Sequence, residues 1–141
     1  MRAFPRHARP GSTMVEASLV LTVSLVTFIG IIDLGSVLFR MQGLTERARA
    51  GVRYGVVNTY DAAKIRNVVV YGNSAGSGNA LLGLSPSLVS VTSVDLGDGV
   101  SKIRVVISGY PFRFFTPFIS GNKTLPALEA ALTTESMGAT S

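Results

Sequence analysis

The sequence predicts an α+β fold. A long N-terminal α-helix, with a membrane half and an amphipathic half, should pack on a small antiparallel β-sheet with a short second helix. No proline interrupts residues 12–57, two later segments alternate apolar and polar residues, and a Gly-Asp-Gly turn separates those segments. The 141 residues therefore divide into a basic leader (1–11), the long helix (12–57) and a small α+β domain (58–141).

The N-terminal region has the order expected of a membrane-targeting segment. Residues 17–32 carry no charge, and the leader before them has no acidic residue and three arginines, Arg2, Arg6 and Arg9. A run of 16 residues would span only ~24 Å of a ~30 Å hydrocarbon layer, so its flanks must contribute. We expect a transmembrane segment over about residues 14–39. Basic residues beside an apolar run stay cytoplasmic, which predicts a single-pass protein whose C-terminal domain lies on the far side of the membrane. In a bacterium, this is an inner-membrane protein with a periplasmic C-terminal domain.

A cleaved secretory signal is the rival interpretation. Ala48-Arg49-Ala50 has the small-x-small form of a cleavage site. However, the apolar run is longer than a usual signal, and charged residues separate it from this triplet. An exported soluble protein is therefore disfavoured.

The second half of the long helix is predicted to be amphipathic. Its apolar residues recur at three- and four-residue spacing, namely Val37, Met41, Leu44, Ala48, Val52 and Val56. Arg47, Arg49 and Arg53 are candidate partner contacts, for another subunit or for anionic lipid. A solvated helix face would explain the same three arginines.

The remaining chain predicts a short helix over residues 61–71, with Thr59 or Asp61 as its cap, followed by a hairpin. Its strands should run over residues 88–96 and 100–108, joined by Gly97-Asp98-Gly99. Residues 126–135 consist of helix formers, yet a third strand, with Leu128, Ala130 and Leu132 on one face, would support the hairpin.

Composition argues against an enzyme and against nucleic-acid binding. The chain has no cysteine, its single histidine lies in the leader, and its acidic residues show no spacing typical of a metal site or an acid/base pair. No cofactor is expected. The leader supplies much of the net charge of +5. The aromatic segment 110–118 holds one arginine, which favours a role in the core over base stacking.

Residues 9–21, RPGSTMVEASLVL, place a glutamate, Glu16, at the start of an apolar helix. Thr13 and Glu16 would fit a capping box. The stretch also resembles the processing signature of type IV pilins and pseudopilins, in which a prepilin peptidase cuts after the glycine. That resemblance implies cleavage between Gly11 and Ser12, with Glu16 as the fifth mature residue.

Residues 31–57 resemble the TadE-like pseudopilins of tight-adherence (Tad/Flp) systems, through an aspartate shortly before a glycine and the run Ala48-Arg49-Ala50-Gly51-Val52-Arg53. The resemblance implies a pilin-like fold and favours a strand in the last segment. It also implies a minor pilin-like subunit taking part in pilus assembly or priming. The implied partners are the prepilin peptidase, a second minor pseudopilin, the major Flp-type pilin, an assembly platform and a secretion ATPase.

Cleavage would give Ser12 a new ammonium group, and Glu16 could pair with the N-terminus of a neighbouring subunit. Glu16 is therefore a candidate assembly residue, and Gly11 and Ser12 are candidate processing residues. The alternative function is an uncleaved, single-pass membrane-anchored periplasmic binding module.

Overall fold

A computed structural model of the chain describes residues 10–97, 99–115 and 123–134. Two α-helices precede the strands: α1 (Pro10–Val57) and α2 (Ala62–Tyr71). Two 3-10 turns, Leu81–Gly83 and Pro86–Leu88, lead into the first strand. The strands are β1 (Val89–Gly97), β2 (Val100–Ile107), β3 (Pro111–Phe112), β4 (Lys123–Thr124) and β5 (Leu128–Thr134). The predicted α+β class, with its long N-terminal helix and antiparallel sheet, is confirmed.

The described residues fall into two compact units. The first unit comprises the described residues up to 35 together with 114–115, and the second comprises 36–113 and 123–134 without residue 98. Helix α1 therefore contributes its first part to one unit and its second part to the other.

Helix α2 is fixed at both ends by local hydrogen bonds. Asp61, in an extended conformation, is the N-cap, and its Oδ1 accepts from the backbone amides of Ala63 at 2.9 Å and Lys64 at 3.2 Å. Gly72 ends the helix with φ +79°, where its N–H donates to the carbonyl of Val68. Of the two caps that the sequence allowed, Asp61 is therefore the one used.

The main sheet has three antiparallel strands in the order β1-β2-β5. Its hairpin turns through Gly97 and Gly99, whose φ angles of +87° and +73° favour glycine. The third strand, β5, pairs with β2, so the choice of strand over helix in this segment is confirmed. Strands β3 and β4 form a separate two-stranded sheet that the sequence did not predict.

The core of the second unit lies between one sheet face and the two helices. Ile103, Val105 and Ile107 alternate along β2 and are buried, as the period of two requires. The helices supply buried residues at helical spacing: Leu44, Ala48 and Val52 from α1, and Ile65, Val69 and Val70 from α2. Leu128 and Ala130 are half-buried, whereas Leu132 on the same strand is 49% exposed.

An ion pair joins β2 to β5 on the opposite, solvent-facing side of the sheet. Arg104 donates from Nε and Nη2 to the two carboxylate oxygens of Glu129, both at 2.6 Å. These hydrogen bonds lower the pKa of Glu129 and raise that of Arg104, so both groups stay charged at neutral pH. Both side chains are about half exposed, so the pair aligns the strands more than it stabilises the fold.

Two glycines of α1 let α2 and the sheet approach its backbone. A β-carbon on Gly51 would overlap Cγ2 of Val69, and one on Gly55 would lie 2.7 Å from Cδ1 of Ile65. Val69 is buried and β-branched, so its methyl group has no free rotamer to move into. The close packing therefore requires a residue without a β-carbon at both positions.

Gly51→Ala is expected to lower the free energy of unfolding by ~1–3 kcal/mol, because overpacking outweighs the better helix propensity of alanine. The matched control is Gly43→Ala, whose β-carbon would meet Cδ1 of Leu82 at an ordinary 3.6 Å. Denaturant unfolding of the full chain in detergent, followed by circular dichroism, measures both variants. Equal effects of the two substitutions would contradict the close packing at Gly51.

Candidate functional site

The first half of α1 presents apolar side chains on all of its sides, and the described chain does not cover them. Every residue from 13 to 28 is exposed, including Met14, Leu21 and Phe28. A surface helix of a soluble domain would instead bury one stripe. We call residues 13–32 the apolar segment, and they lie in a helix that is long and apolar enough to cross a membrane.

Three hydroxyl groups within the apolar segment donate to its own backbone. Ser18, Thr22 and Thr27 each donate at 2.8 Å to a carbonyl oxygen three or four residues earlier. Such a bond lowers the cost of placing a hydroxyl in an apolar surrounding, because its donor has an acceptor. These polar residues are therefore compatible with lipid or with a bundle of similar helices.

Glu16 lies on the exposed surface near the start of the apolar segment. It borders a shallow strip whose other members are mostly small or aliphatic, namely Thr13, Ala17, Val20, Leu21 and Ser24. Among the residues that the structure describes, none forms a hydrogen bond or ion pair with the Glu16 carboxylate. The group is therefore available to another molecule.

The capping box expected at Thr13 and Glu16 is wrong. Helix α1 begins at Pro10, so Thr13 lies inside the helix and cannot be its N-cap. Proline suits the first turn, where its missing N–H leaves no hydrogen bond unmade. Gly11 and Ser12, the candidate processing residues, belong to this first turn, in which backbone amides have no partner within the helix.

Asp33 is a functional candidate that the sequence analysis did not identify. It lies at the far end of the apolar segment and is only 3% exposed, which makes it the one buried charged residue of the part described. Its Oδ1 accepts a hydrogen bond of 2.7 Å from the backbone N–H of Phe115. Phe115 is 82 residues away from Asp33 in sequence, so no local pattern predicts this hydrogen bond. The only sequence signal at Asp33 is an aspartate shortly before a glycine.

The three candidate arginines have different surroundings. The guanidinium of Arg47 lies against Gly72, where it leaves no room for a β-carbon, beside the carbonyl end of α2. A cation is favourable there because of the helix dipole. Arg49 and Arg53 are exposed and border an open groove between α1 and residues 129–132 of β5. The structure therefore separates one packed arginine from two that a partner could reach.

Arg40 fastens the two-stranded sheet to α1. Its guanidinium lies 5.5 Å from the ring centre of Phe112 and donates to the hydroxyl of Tyr110 at 3.3 Å. The Tyr110 hydroxyl in turn donates to the carbonyl of Leu82. Tyr110 and Phe112 are buried, so this part of the aromatic segment serves the core, as expected, and residues 116–118 lie outside the described residues.

Most of α1 matches a known protein family. Residues 11–53 match the family model of TadE-like protein. The N-terminal helix is TadE-like. No curated protein and no solved structure matches the chain. The resemblance of this helix to TadE-like proteins is thus confirmed over residues 11–53.

The TadE-like segment (residues 11–53) contains every candidate named so far on α1. It starts at Gly11, passes through Glu16 and Asp33, and ends at Arg53. Helix α2 and all five strands lie outside it. In the described residues, no group of three histidine, aspartate or glutamate side chains is placed to hold a metal ion.

Arg47→Ala should lower the free energy of unfolding by ~0.3–1 kcal/mol, because it removes a cation from the C-terminus of α2. Arg49→Ala and Arg53→Ala serve as matched controls and should change it by less than ~0.5 kcal/mol, as exposed substitutions usually do. Denaturant unfolding of the three variants in detergent measures the difference. If Arg49→Ala destabilises as much as Arg47→Ala, the distinction between packed and reachable arginines fails.

Proposed function

We propose that the protein is a minor pilin-like subunit (pseudopilin) of a Tad-type adhesive pilus. A prepilin peptidase cuts it between Gly11 and Ser12, and α1 then packs with other pilin helices. One observation carries the proposal: the TadE-like match begins at Gly11 and continues along an apolar helix whose side chains the described residues leave exposed.

The proposed cut removes the basic leader, which lies outside the TadE-like segment. Water adds across the Gly11–Ser12 peptide bond, so Gly11 leaves with a carboxylate and Ser12 acquires an ammonium. Glu16 then lies four residues, ~6 Å along the axis, from a new positive charge. A carboxylate within the first turns of a helix is also stabilised by the helix dipole.

Pairing between subunits explains why Glu16 is needed at this depth. A carboxylate that enters an apolar bundle is costly unless an opposite charge accompanies it. The neighbouring subunit supplies that charge through its Ser12 ammonium. The small residues Thr13, Ala17 and Ser24 on the same strip allow a second helix to approach closely, which favours such pairing.

The partners that follow from this role are the prepilin peptidase, a second minor pseudopilin, the major Flp-type pilin, the assembly platform and its ATPase. The subunit begins in the inner membrane, with its N-terminus cytoplasmic and its C-terminal domain periplasmic. It primes the pilus or joins its extracellular part. Arg49 and Arg53 are the residues of α1 that a second subunit would meet beyond the membrane. Its role is structural, and no catalysis is proposed.

The mature protein from its native host should lack residues 1–11 and begin at Ser12. Intact-mass spectrometry and N-terminal sequencing measure this directly. Deletion of the host's prepilin peptidase should restore the full-length mass. A full-length chain in the wild-type host would instead favour the uncleaved, membrane-anchored binding module, and an N-terminus at Gly51 would identify an exported soluble protein.

Glu16→Ala should be inserted and cleaved normally but should fail to support piliation, because the Ser12 ammonium of a neighbour would lose its counter-charge. The matched control is Glu46→Ala, the same change at an exposed position later on α1, which should leave piliation intact. Electron microscopy of pili, together with the mass of the mature subunit, separates assembly from processing. Normal piliation with Glu16→Ala would remove Glu16 from the mechanism.

A further inference from the structure

Asp33, the residue directly after the apolar segment, forms a contact that the proposed pilin assembly does not use. Its bond to the backbone N–H of Phe115 fixes that residue beside α1, at the level where the apolar segment ends. Both residues belong to the same compact unit. The side chain of Phe115 is 75% exposed, although burying a phenylalanine ring away from water is favourable in free energy.

The position of Asp33 along α1 defines a depth. Glu16 and Asp33 are separated by ~26 Å along the helix, close to the ~30 Å of a hydrocarbon layer. When Glu16 is at one interface, Asp33 and therefore Phe115 lie at the other. Exposed side chains of α1 at the same level are also large and apolar, namely Ile31, Ile32 and Leu34.

We propose that Phe115, held by Asp33, is an interfacial membrane contact that inserts its ring at the boundary between lipid headgroups and acyl chains. The exposed side chains of Ile31, Ile32 and Leu34 lie at the same level of α1, which indicates lipid as the occupant. Aromatic and aliphatic side chains gain free energy at that boundary. The inference depends on membrane insertion of α1, but neither on cleavage at Gly11 nor on pilus assembly.

The Asp33 bond solves a problem that this location creates. A backbone N–H near the acyl chains cannot rely on water, and leaving it without an acceptor is costly. The carboxylate of Asp33 supplies the acceptor and is itself shielded from lipid by the protein. Asp33 is thus a positioning residue, and the ring of Phe115 makes the contact with lipid.

The absence of cysteine allows a direct test of depth. Three single-cysteine variants of the full chain, Phe115→Cys, Leu25→Cys and Thr92→Cys, receive the same environment-sensitive fluorophore. They are reconstituted into vesicles of phosphatidylethanolamine and phosphatidylglycerol. Leu25, midway along the apolar segment, reports the hydrocarbon centre, and Thr92, on the polar face of the sheet, is the aqueous reference.

The label at position 115 should emit at shorter wavelength than the label at 92. Lipids with a shallow nitroxide should quench it more than lipids with a deep one, whereas the label at 25 should show the reverse order. Emission and quenching at 115 equal to those at 92, with deep quenching at 25, would overturn the proposal while leaving the anchor intact. Absence of quenching at 25 would overturn membrane insertion itself.

A second comparison tests the role of Asp33. Asp33→Ala, combined with the label at 115, should lose the shallow quenching, because the backbone N–H of residue 115 loses its acceptor. Asp33→Asn retains Oδ1 and should keep it. The label at 25 reports insertion in both backgrounds, so a failure to insert is recognised as such. Unchanged quenching at 115 in Asp33→Ala would overturn the positioning role. The mass of the mature protein is measured independently, so the pilin proposal stands or falls separately.

Discussion

The constraint on which the rest of this protein depends is that the described residues leave the apolar first half of α1 exposed. Its apolar side chains point in every direction, whereas the sheet and α2 are occupied by the second half of the same helix. Exposed apolar surface costs ~25 cal/mol per Å² in water, so a helix of this kind requires lipid or other helices. Membrane anchoring and helix assembly both answer that requirement, and a pilin-like subunit uses the two in succession.

The same helix changes character where its surroundings change. Beyond residue 35, α1 buries one stripe of its residues. Gly51 and Gly55 allow α2 and β2 to approach its backbone. Arg40 is the first basic residue after the apolar segment, and it is engaged by Phe112 and Tyr110 rather than left to solvent. The second unit therefore includes the later part of α1 in its own core.

Features with local causes could be predicted from the sequence. The long helix, α2 with its Asp61 cap, and the β1–β2 hairpin follow from side-chain periodicity and turn residues that lie close together in the chain. Strands β3 and β4 were not predicted, because each has only two residues and is too short to show a periodic pattern. The bond of Asp33 to Phe115 and the packing of Arg47 on Gly72 join distant residues, so no local pattern encodes them. The capping box also failed, although its residue types were suitable, because α1 starts at Pro10 and Thr13 therefore lies inside the helix.

Glu16, near the start of the apolar segment, and Asp33, directly after its end, solve the same physical problem in two different ways. Each lies near an end of a helix that favours lipid, where an uncompensated charge is costly. Asp33 is buried and takes a backbone N–H from its own chain, so its role is completed within the subunit. Glu16 is exposed, and none of the described residues supplies it with a donor. In the proposed assembly, the counter-charge for Glu16 comes from outside the subunit. A freshly cut N-terminus on a neighbouring helix would be a cation at the same level of the membrane.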